Sequence, residues 1–260
     1  MPRSRPCAGG GCKLAPAMDA ILTFHALDGS GAVDALPPAR FEDLLRELLD
    51  EGVQIVRLHE LLAPAAGHRV ALTFDDGFRS VADEAQPRLA RLGLPALLYA
   101  VSERVGGSNR WAASHAIPER PLMGWDELRA WRAQGLDVGA HGATHVPLRR
   151  LDEAQWAAEL PGCRARLEDG LGAPVDDFAY PYGVAGREAR RRVGQLFGTA
   201  VTTRLAFVRR PADPLALPRI DIHYLRDASG APLFAPATRA RLAVRRAARG
   251  LRGAAGGRAG

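Results

Sequence analysis

Lysine is almost absent from this chain, and cysteine is scarce. Lys13 is the single lysine, so nearly all of the 35 basic residues are arginine. With so much alanine and glycine, this bias indicates coding composition rather than a function. The three cysteines, Cys7, Cys12 and Cys163, are odd in number and form no framework. They argue against a disulfide-stapled fold and favour a reducing compartment.

Long hydrophobic runs are also missing. No stretch of about 18 apolar residues occurs, so the sequence predicts no transmembrane helix. Residues 1–10 lack the apolar centre of a signal peptide, and we therefore expect a cytoplasmic location. Met18 directly precedes the first strand-like run. We interpret residues 1–17 as a disordered arm or a mis-assigned start, 18–237 as one folded domain, and 238–260 as a basic tail.

Acidic residues are absent from that tail, which contains seven arginines. The positive charges of the tail and of the three basic residues before position 18 add up to more than the net charge of +6 of the whole chain. The domain between them is therefore net acidic. A basic end on an acidic body does not lead us to expect a nucleic-acid partner. We expect a solvated, partly helical tail that makes at most a weak contact with anionic surfaces.

The chain does contain two adjacent carboxylates at the end of an apolar run. Residues 70–74 predict a buried strand, and Asp75, Asp76 and Gly77 follow it. Adjacent carboxylates repel each other unless a positive group lies close by. A divalent metal would let one acid ligate while the other handles protons. An Asp-Gly pair is also a common turn former, so the motif alone fits a plain turn equally well.

Two histidines close another strand-like run. His141 and His145 follow residues 136–140. Two histidines and an aspartate are a common ligand set for zinc, and with open positions the same set suits iron or cobalt. Paired histidines also arise by chance, but a plain interpretation of both motifs needs two coincidences at equivalent strand ends.

Two more strand ends carry groups of interest. Residues 178–183 end in a Pro-Tyr-Gly break, whose exposed backbone amides could stabilise an oxyanion or simply form an aromatic turn. The first strand-like run ends in His25, in a position matching the other motifs. The longer loop 102–121, with Trp111 and His115, either lines a sugar site by stacking or is a surface excursion.

Strand-like and helix-like runs alternate along the chain. Strands are predicted at 21–25, 54–58, 70–74, 96–101, 136–140, 177–180 and 199–202. Helices are predicted at 40–51, 81–92, 125–134, 153–168 and 186–197, with Pro87 and Pro161 interrupting two of them or starting shorter helices. This alternation predicts a parallel α/β sheet. Every motif falls at the carboxyl end of a strand, where βα barrels carry their active sites.

With these motifs the chain resembles the polysaccharide deacetylase family, metal-dependent carbohydrate esterases that remove acetyl groups from N-acetylated sugars. The resemblance spans about 21–222 and rests on the Asp-Asp-Gly motif, the paired histidines with Leu148, and residues 180–183. It implies a distorted or incomplete (β/α)7 barrel with 18–237 as the catalytic domain. It also implies a divalent metal, zinc before cobalt, nickel or iron, and an N-acetylated glycan as substrate.

Carried over residue by residue, the resemblance implies Asp75 as general base and the backbone amide of Tyr182 as oxyanion donor. The implied metal ligands are Asp76, His141 and His145. The residues assigned to substrate binding are Tyr180, Pro181 and Arg219.

The chain departs from the family pattern at two positions. Gly142 stands where the family often has serine or threonine, so one supporting hydrogen bond is in question. Ala179 stands where the family often has the arginine that orients the base, and Arg219 could supply that group from another strand end. If the altered motif abolishes catalysis, the protein would instead bind glycans on the same fold. A further alternative keeps the metal site and hydrolyses another non-peptide amide.

The general acid has two candidates. In much of the family a late histidine protonates the leaving amine, and His223 is the only residue here that fits. A subgroup, the exopolysaccharide deacetylases, has its histidine on the first strand, and His25 resembles that arrangement. We favour His25.

Overall fold

Seven parallel strands of this protein close into a barrel. The computed structural model describes residues 17–112, 117–226 and 231–256. Cys7, Cys12, His115 and most of the expected N-terminal arm therefore lie outside the described residues. The strands are β1 (Asp19–Phe24), β2 (Ala26–Leu27), β3 (Ala35–Leu36), β4 (Gln54–Ile55), β5 (Arg69–Phe74), β6 (Leu97–Ala100), β7 (Asp137–Ala140), β8 (Asp177–Ala179), β9 (Thr199–Leu205) and β10 (Leu217–Asp221).

The barrel order is β1-β10-β9-β8-β7-β6-β5, and β5 pairs back with β1 to close the ring. The pairing of β1 with β5 runs in register along both strands, from Asp19 opposite Arg69 to Phe24 opposite Phe74. Strand β4 lies beside the first half of β5, and β2 and β3 form a small separate sheet. The predicted (β/α)7 barrel is confirmed, and its ring of seven strands is complete.

Helices cover the outside of the barrel. They are α1 (Pro38–Asp50), α2 (Arg79–Leu92), α3 (Trp125–Ala133), α4 (Glu153–Ala157), α5 (Cys163–Leu171), α6 (Arg187–Val193) and α7 (Pro236–Gly256). A π-helical turn, Ala158–Gly162, joins α4 to α5. None of the described helices is long and apolar enough to span a membrane.

The two prolines behave differently from each other. Pro87 lies inside α2 without ending it, so the expected interruption there is wrong. Pro87 is exposed, so the carbonyl oxygen that lacks a hydrogen bond can be hydrated. Pro161 lies in the π-helical turn, where the wider turn accommodates its ring.

Alternate strand residues divide the core into two layers. Those facing into the barrel include Ile21, Ala71, Tyr99 and Val201, and those facing outward pack against the helices. Because the seven barrel strands are parallel, their carboxyl ends meet at one rim of the barrel. The residues that follow those ends are therefore brought together.

The C-terminal tail is more ordered than expected. Helix α7 is continuous, and its Thr238 and Leu242 are buried against the body. Val244 on the same helix is 69% exposed, so α7 docks along one face only. Residues 257–260 of the tail lie outside the described residues.

Candidate active site

The turn after β5 separates its two carboxylates. Asp75 continues the inward-facing series of Ala71 and Thr73, and it is buried. Asp76 and Gly77 have φ angles of 70° and 79°, both in the left-handed region. Such conformations cost energy for any residue other than glycine, so the surrounding structure must hold Asp76 in place. The result is two neighbouring acids that point to different partners.

Arg219 clamps Asp75. Its Nη1 and Nη2 atoms lie 2.6 Å from Oδ1 and Oδ2 of the carboxylate, a bidentate pair. The guanidinium is itself held by the Thr202 carbonyl oxygen, 3.1 Å from Nε, and by the Thr73 hydroxyl, 3.3 Å from Nη1. Burial opposes ionisation of Asp75, yet Arg219 and then His141 hold the pKa of this carboxyl well below its usual range. Asp75 is therefore a fixed, ionised carboxylate.

Asp76, His141 and His145 form the candidate metal centre. One ligand atom from each lies within 4.8 Å of the other two. Oδ1 of Asp76 lies 3.6 Å from Nε2 of His141 and 3.3 Å from Nε2 of His145. This oxygen is buried without a hydrogen-bond partner, as a ligand atom should be. Among the described residues, this is the one group of histidine, cysteine and acidic side chains close enough to hold a metal ion.

The protonation of the ligands also suits a metal. The Nδ1–H of His141 donates to the Ala179 carbonyl oxygen at 2.8 Å, which leaves Nε2 free to ligate. Burial lowers the pKa of His141 to about 4, so the ring is neutral at physiological pH. Burial would raise the pKa of Asp76, but the imidazoles, His145 foremost, lower it. A divalent cation requires deprotonated ligand atoms, and the neutral ring of His141 and the ionised carboxylate of Asp76 provide them.

Glu159 supports the histidine loop, and the sequence analysis missed it. This buried side chain accepts hydrogen bonds from the Ala143 amide at 2.8 Å, the Thr144 amide at 3.2 Å and the Thr144 hydroxyl. A Cβ atom on Gly142 would lie 2.7 Å from Glu159 Oε2. The glycine thus makes room for the carboxylate, which provides the support that a serine or threonine at position 142 would give. An acid two residues before a proline in a predicted helix was the available signal.

His25 is close to the base, and His223 is not. Nε2 of His25 lies 4.0 Å from Oδ2 of Asp75. Burial lowers the pKa of His25, but the carboxylates of Asp221, Asp75 and Asp76 outweigh it and raise the pKa above its usual value. Among the described ion pairs, His223 makes none with the site, and its ring lies beside Tyr224. The geometry favours His25 as the proton donor.

Two aromatic rings enclose His145. Trp111 stacks on it with ring centroids 5.0 Å apart, and Tyr182 meets it edge-on at 4.7 Å. Tyr182 has a φ of 57° and its side chain is exposed. The loop that carries Trp111 therefore reaches the candidate metal centre and is more than a surface excursion.

The side chains of the three residues expected to bind substrate are buried. Tyr180 is fully buried, and its hydroxyl donates to the Leu215 carbonyl oxygen. Pro181 is buried, and Arg219 is 2% exposed against Asp75. None of the three side chains offers surface to a glycan in this structure. Arg219 instead forms a bidentate pair with Asp75, the contact that its alternative assignment as the orienting arginine requires.

Residues 63–201 match the profile of the polysaccharide deacetylase family. Among curated proteins, "Putative polysaccharide deacetylase YxkH" of Bacillus subtilis is 22% identical over 216 residues, which cover 80% of this chain and 72% of that protein.

Solved structures show the same fold. IcaB from Ammonifex degensii superposes with a TM-score of 0.70 at 23% identity, covering 88% of this chain and 96% of that chain. The BA0330 protein of Bacillus anthracis gives a TM-score of 0.66 at 22% identity, covering 78% of this chain and 64% of that chain. This chain therefore spans less than two thirds of BA0330.

Proposed function

This chain belongs to the polysaccharide deacetylase family and is a hydrolase of that class, and we propose that it removes N-acetyl groups from an N-acetylglucosamine-type glycan with the help of a bound divalent metal, zinc foremost. One observation carries the proposal: a buried Asp-His-His cluster lies beside an unligated, arginine-clamped aspartate at the carboxyl rim of the barrel. Metal-assisted hydrolysis of an amide uses both parts, a site for the cation and a free base.

The metal would be held by Asp76, His141 and His145. When bound, a divalent cation polarises an amide carbonyl and makes water acidic enough to supply hydroxide near neutral pH. Asp75 takes the proton from the attacking water, because Arg219 keeps it ionised and oriented.

Two further groups complete the reaction. The backbone N–H of Tyr182 donates to the oxygen on which negative charge develops. His25 protonates the departing nitrogen, so that the sugar leaves as an amine and the acyl group as acetate. Its raised pKa keeps a larger fraction of His25 protonated near neutrality, as an acid requires.

Metal analysis and acetate release on the same preparations test the proposal. The chelated protein should release no acetate from chitooligosaccharides, and zinc should restore release. Asp75→Asn should lower kcat by about 100- to 10,000-fold with the metal content intact, because only the base is lost. His141→Ala should lose both metal and turnover.

Two results would overturn the proposal. Full acetate release by metal-free protein would remove the metal from the reaction. Metal-loaded protein that hydrolyses small amides, yet releases nothing from chitooligosaccharides or peptidoglycan fragments, would assign the site to another amide. His223→Ala should have little effect, and a severe loss there would move the general acid from His25.

A further inference from the structure

A cavity opens beside the candidate active site, between β9 and helices α6 and α7. Its volume is about 710 Å³, which falls in the range of small-molecule sites. Thr202, Thr203 and Leu205 form its β9 side, and α7 closes it from outside. We call this cavity the α7 groove.

The α7 groove is strongly basic. Four arginines line it, Arg190, Arg204, Arg246 and Arg249, against one acid, Asp213. Asp213 pairs with Arg190, and the other three arginines pair with no carboxylate of the described residues. The Nε atom of Arg190 is also buried without a hydrogen-bond partner. Like charges held together repel each other, and a bound anion would remove that repulsion.

The α7 groove reaches the rim where the chemistry takes place. Gly183, which lines it, directly follows Tyr182, and the Thr203 hydroxyl lies 3.5 Å from the Tyr182 carbonyl oxygen. Arg249 packs over the ring of Tyr224, just beyond the carboxyl end of β10, at 5.7 Å. Helix α7 thus carries Arg249 to the active-site end of the barrel.

We propose that the α7 groove binds an anionic group, a carboxylate or a phosphate, on a sugar of the glycan whose neighbouring N-acetyl group lies at the metal centre. The inference rests on the proposed function and narrows its substrate to an acidic N-acetylated glycan. Guanidinium groups suit this task because their planar forks match carboxylate and phosphate oxygens bidentately. A neutral glycan would leave these three arginines without an anionic partner.

Matched oligosaccharides test the inference on the full chain. The neutral substrate is fully N-acetylated chitotetraose, called chitotetraose below. The carboxylate arm is a tetrasaccharide of alternating glucuronate and N-acetylglucosamine, and the phosphate arm is chitotetraose 6-phosphate. KM comes from acetate release by zinc-loaded protein, and Kd from calorimetry with the Asp75→Asn variant, which separates binding from turnover.

At least one acidic oligosaccharide should bind about tenfold more tightly than chitotetraose at low salt, and added salt should erase this advantage. Arg204→Ser/Arg246→Ser should raise its Kd and KM by about tenfold, since each exposed charge pair contributes roughly two- to fivefold. The matched double variant Arg46→Ser/Arg91→Ser, on α1 and α2, should leave both values unchanged. Thermal unfolding checks that both variants are folded.

The outcomes separate the two proposals. Equal Kd values for all three oligosaccharides, with acetate released from chitotetraose, overturn the α7 groove and keep the deacetylase. Tight, salt-sensitive binding of an acidic oligosaccharide without acetate release from any substrate overturns the deacetylase and keeps the groove. If the double variant loses binding to anionic phospholipid vesicles but keeps its preference for acidic oligosaccharides, the arginines belong to a membrane-facing surface and the inference is wrong.

Discussion

Two buried arginine–aspartate pairs cross the inside of the barrel, one towards each end. Arg219 grips Asp75 at the carboxyl end, and Arg69 grips Asp19 at the amino end, with Nε–Oδ1 and Nη2–Oδ2 distances of 2.9 Å. Both pairs are bidentate and almost fully buried. Only the first pair lies beside the metal centre, so the chain contains its own control for separating orientation of the base from stability.

Arg219→Lys should lower kcat by about 10- to 100-fold while the metal content stays intact. A lysine ammonium is a point charge that cannot hold both oxygens of Asp75 in one orientation. Arg219→Lys and Arg69→Lys should lower the midpoint of urea unfolding to a similar degree. Arg69→Lys, however, should leave kcat unchanged. Equal losses of kcat in both variants would mean that Arg219 acts only through stability.

The pH dependence of kcat should change when Asp221 is replaced. His25 must be protonated to act as an acid, so turnover is present at low pH and is lost as pH rises through the folded-state pKa of His25. Asp221 is the carboxylate that raises this pKa most. Asp221→Asn should therefore move the alkaline limb of kcat to lower pH, and the amide oxygen can still accept the hydrogen bond from the His223 amide. An unchanged limb would assign it to a group other than His25.

The candidate ligands and base could be predicted from sequence motifs because they follow predicted strands closely in the sequence. Asp75, Asp76 and His141 each follow an apolar run directly, so their shared rim could be inferred. Tyr180 was misjudged because a motif does not show which way a side chain points. Its phenol turns into the core, while the next tyrosine, Tyr182, is exposed.

At the element scale, the π-helical turn between α4 and α5 sets the position of Glu159. The periodicity predicted one helix over 153–168, and the chain is helical there throughout. The inserted wide turn could not be predicted, because a π turn differs from an α turn by a single residue. The contact between Glu159 and the histidine loop could not be predicted either, since its partners lie 15 and 16 residues earlier in the sequence.

Gly142→Ala should weaken zinc binding by about 10- to 100-fold, measured by competition with a chelator. Gly142 has a φ of 78°, and the added Cβ would also collide with the Glu159 carboxylate that holds the histidine loop. Gly172→Ala is the matched control, because its φ is 65° with nothing within 4 Å of the new Cβ. Both variants should lose about 1 kcal/mol of stability, and only the first should lose metal affinity. Equal zinc affinity in the two variants would remove Glu159 from the support of the site.

At the scale of the whole molecule, β10 and α7 were the least predictable parts. Strand β10 contains Pro218 and Arg219, a composition that argues against a buried strand. Its partners, β1 and β9, supply the context that overrides local preference, and no local pattern reveals which strands close a ring. The sequence of α7, rich in arginine, alanine and glycine, predicts a solvated basic tail. Among its described large apolar side chains only Leu242 is buried, so the docked face leaves little signal in the sequence.

Leu242→Ala should destabilise the protein by about 2–5 kcal/mol in urea unfolding, because it empties the site where α7 docks. Val244→Ala, on the exposed side of the same helix, should change stability by no more than about 0.5 kcal/mol. Equal stability of both variants would mean that α7 does not pack on the barrel in solution, and the α7 groove would lose its outer wall.

The clamp on the base has a consequence for synthesis on the ribosome. Arg219 is translated 144 residues after Asp75, whereas His145, the last of the candidate metal ligands, is translated well before Arg219. A nascent chain therefore contains the three candidate metal ligands early. Asp75 stays unrestrained until β10 is made and pairs with β1, which then no longer has an open edge. Chains that stop before β10 lack the arginine that holds Asp75, and we expect them to be inactive.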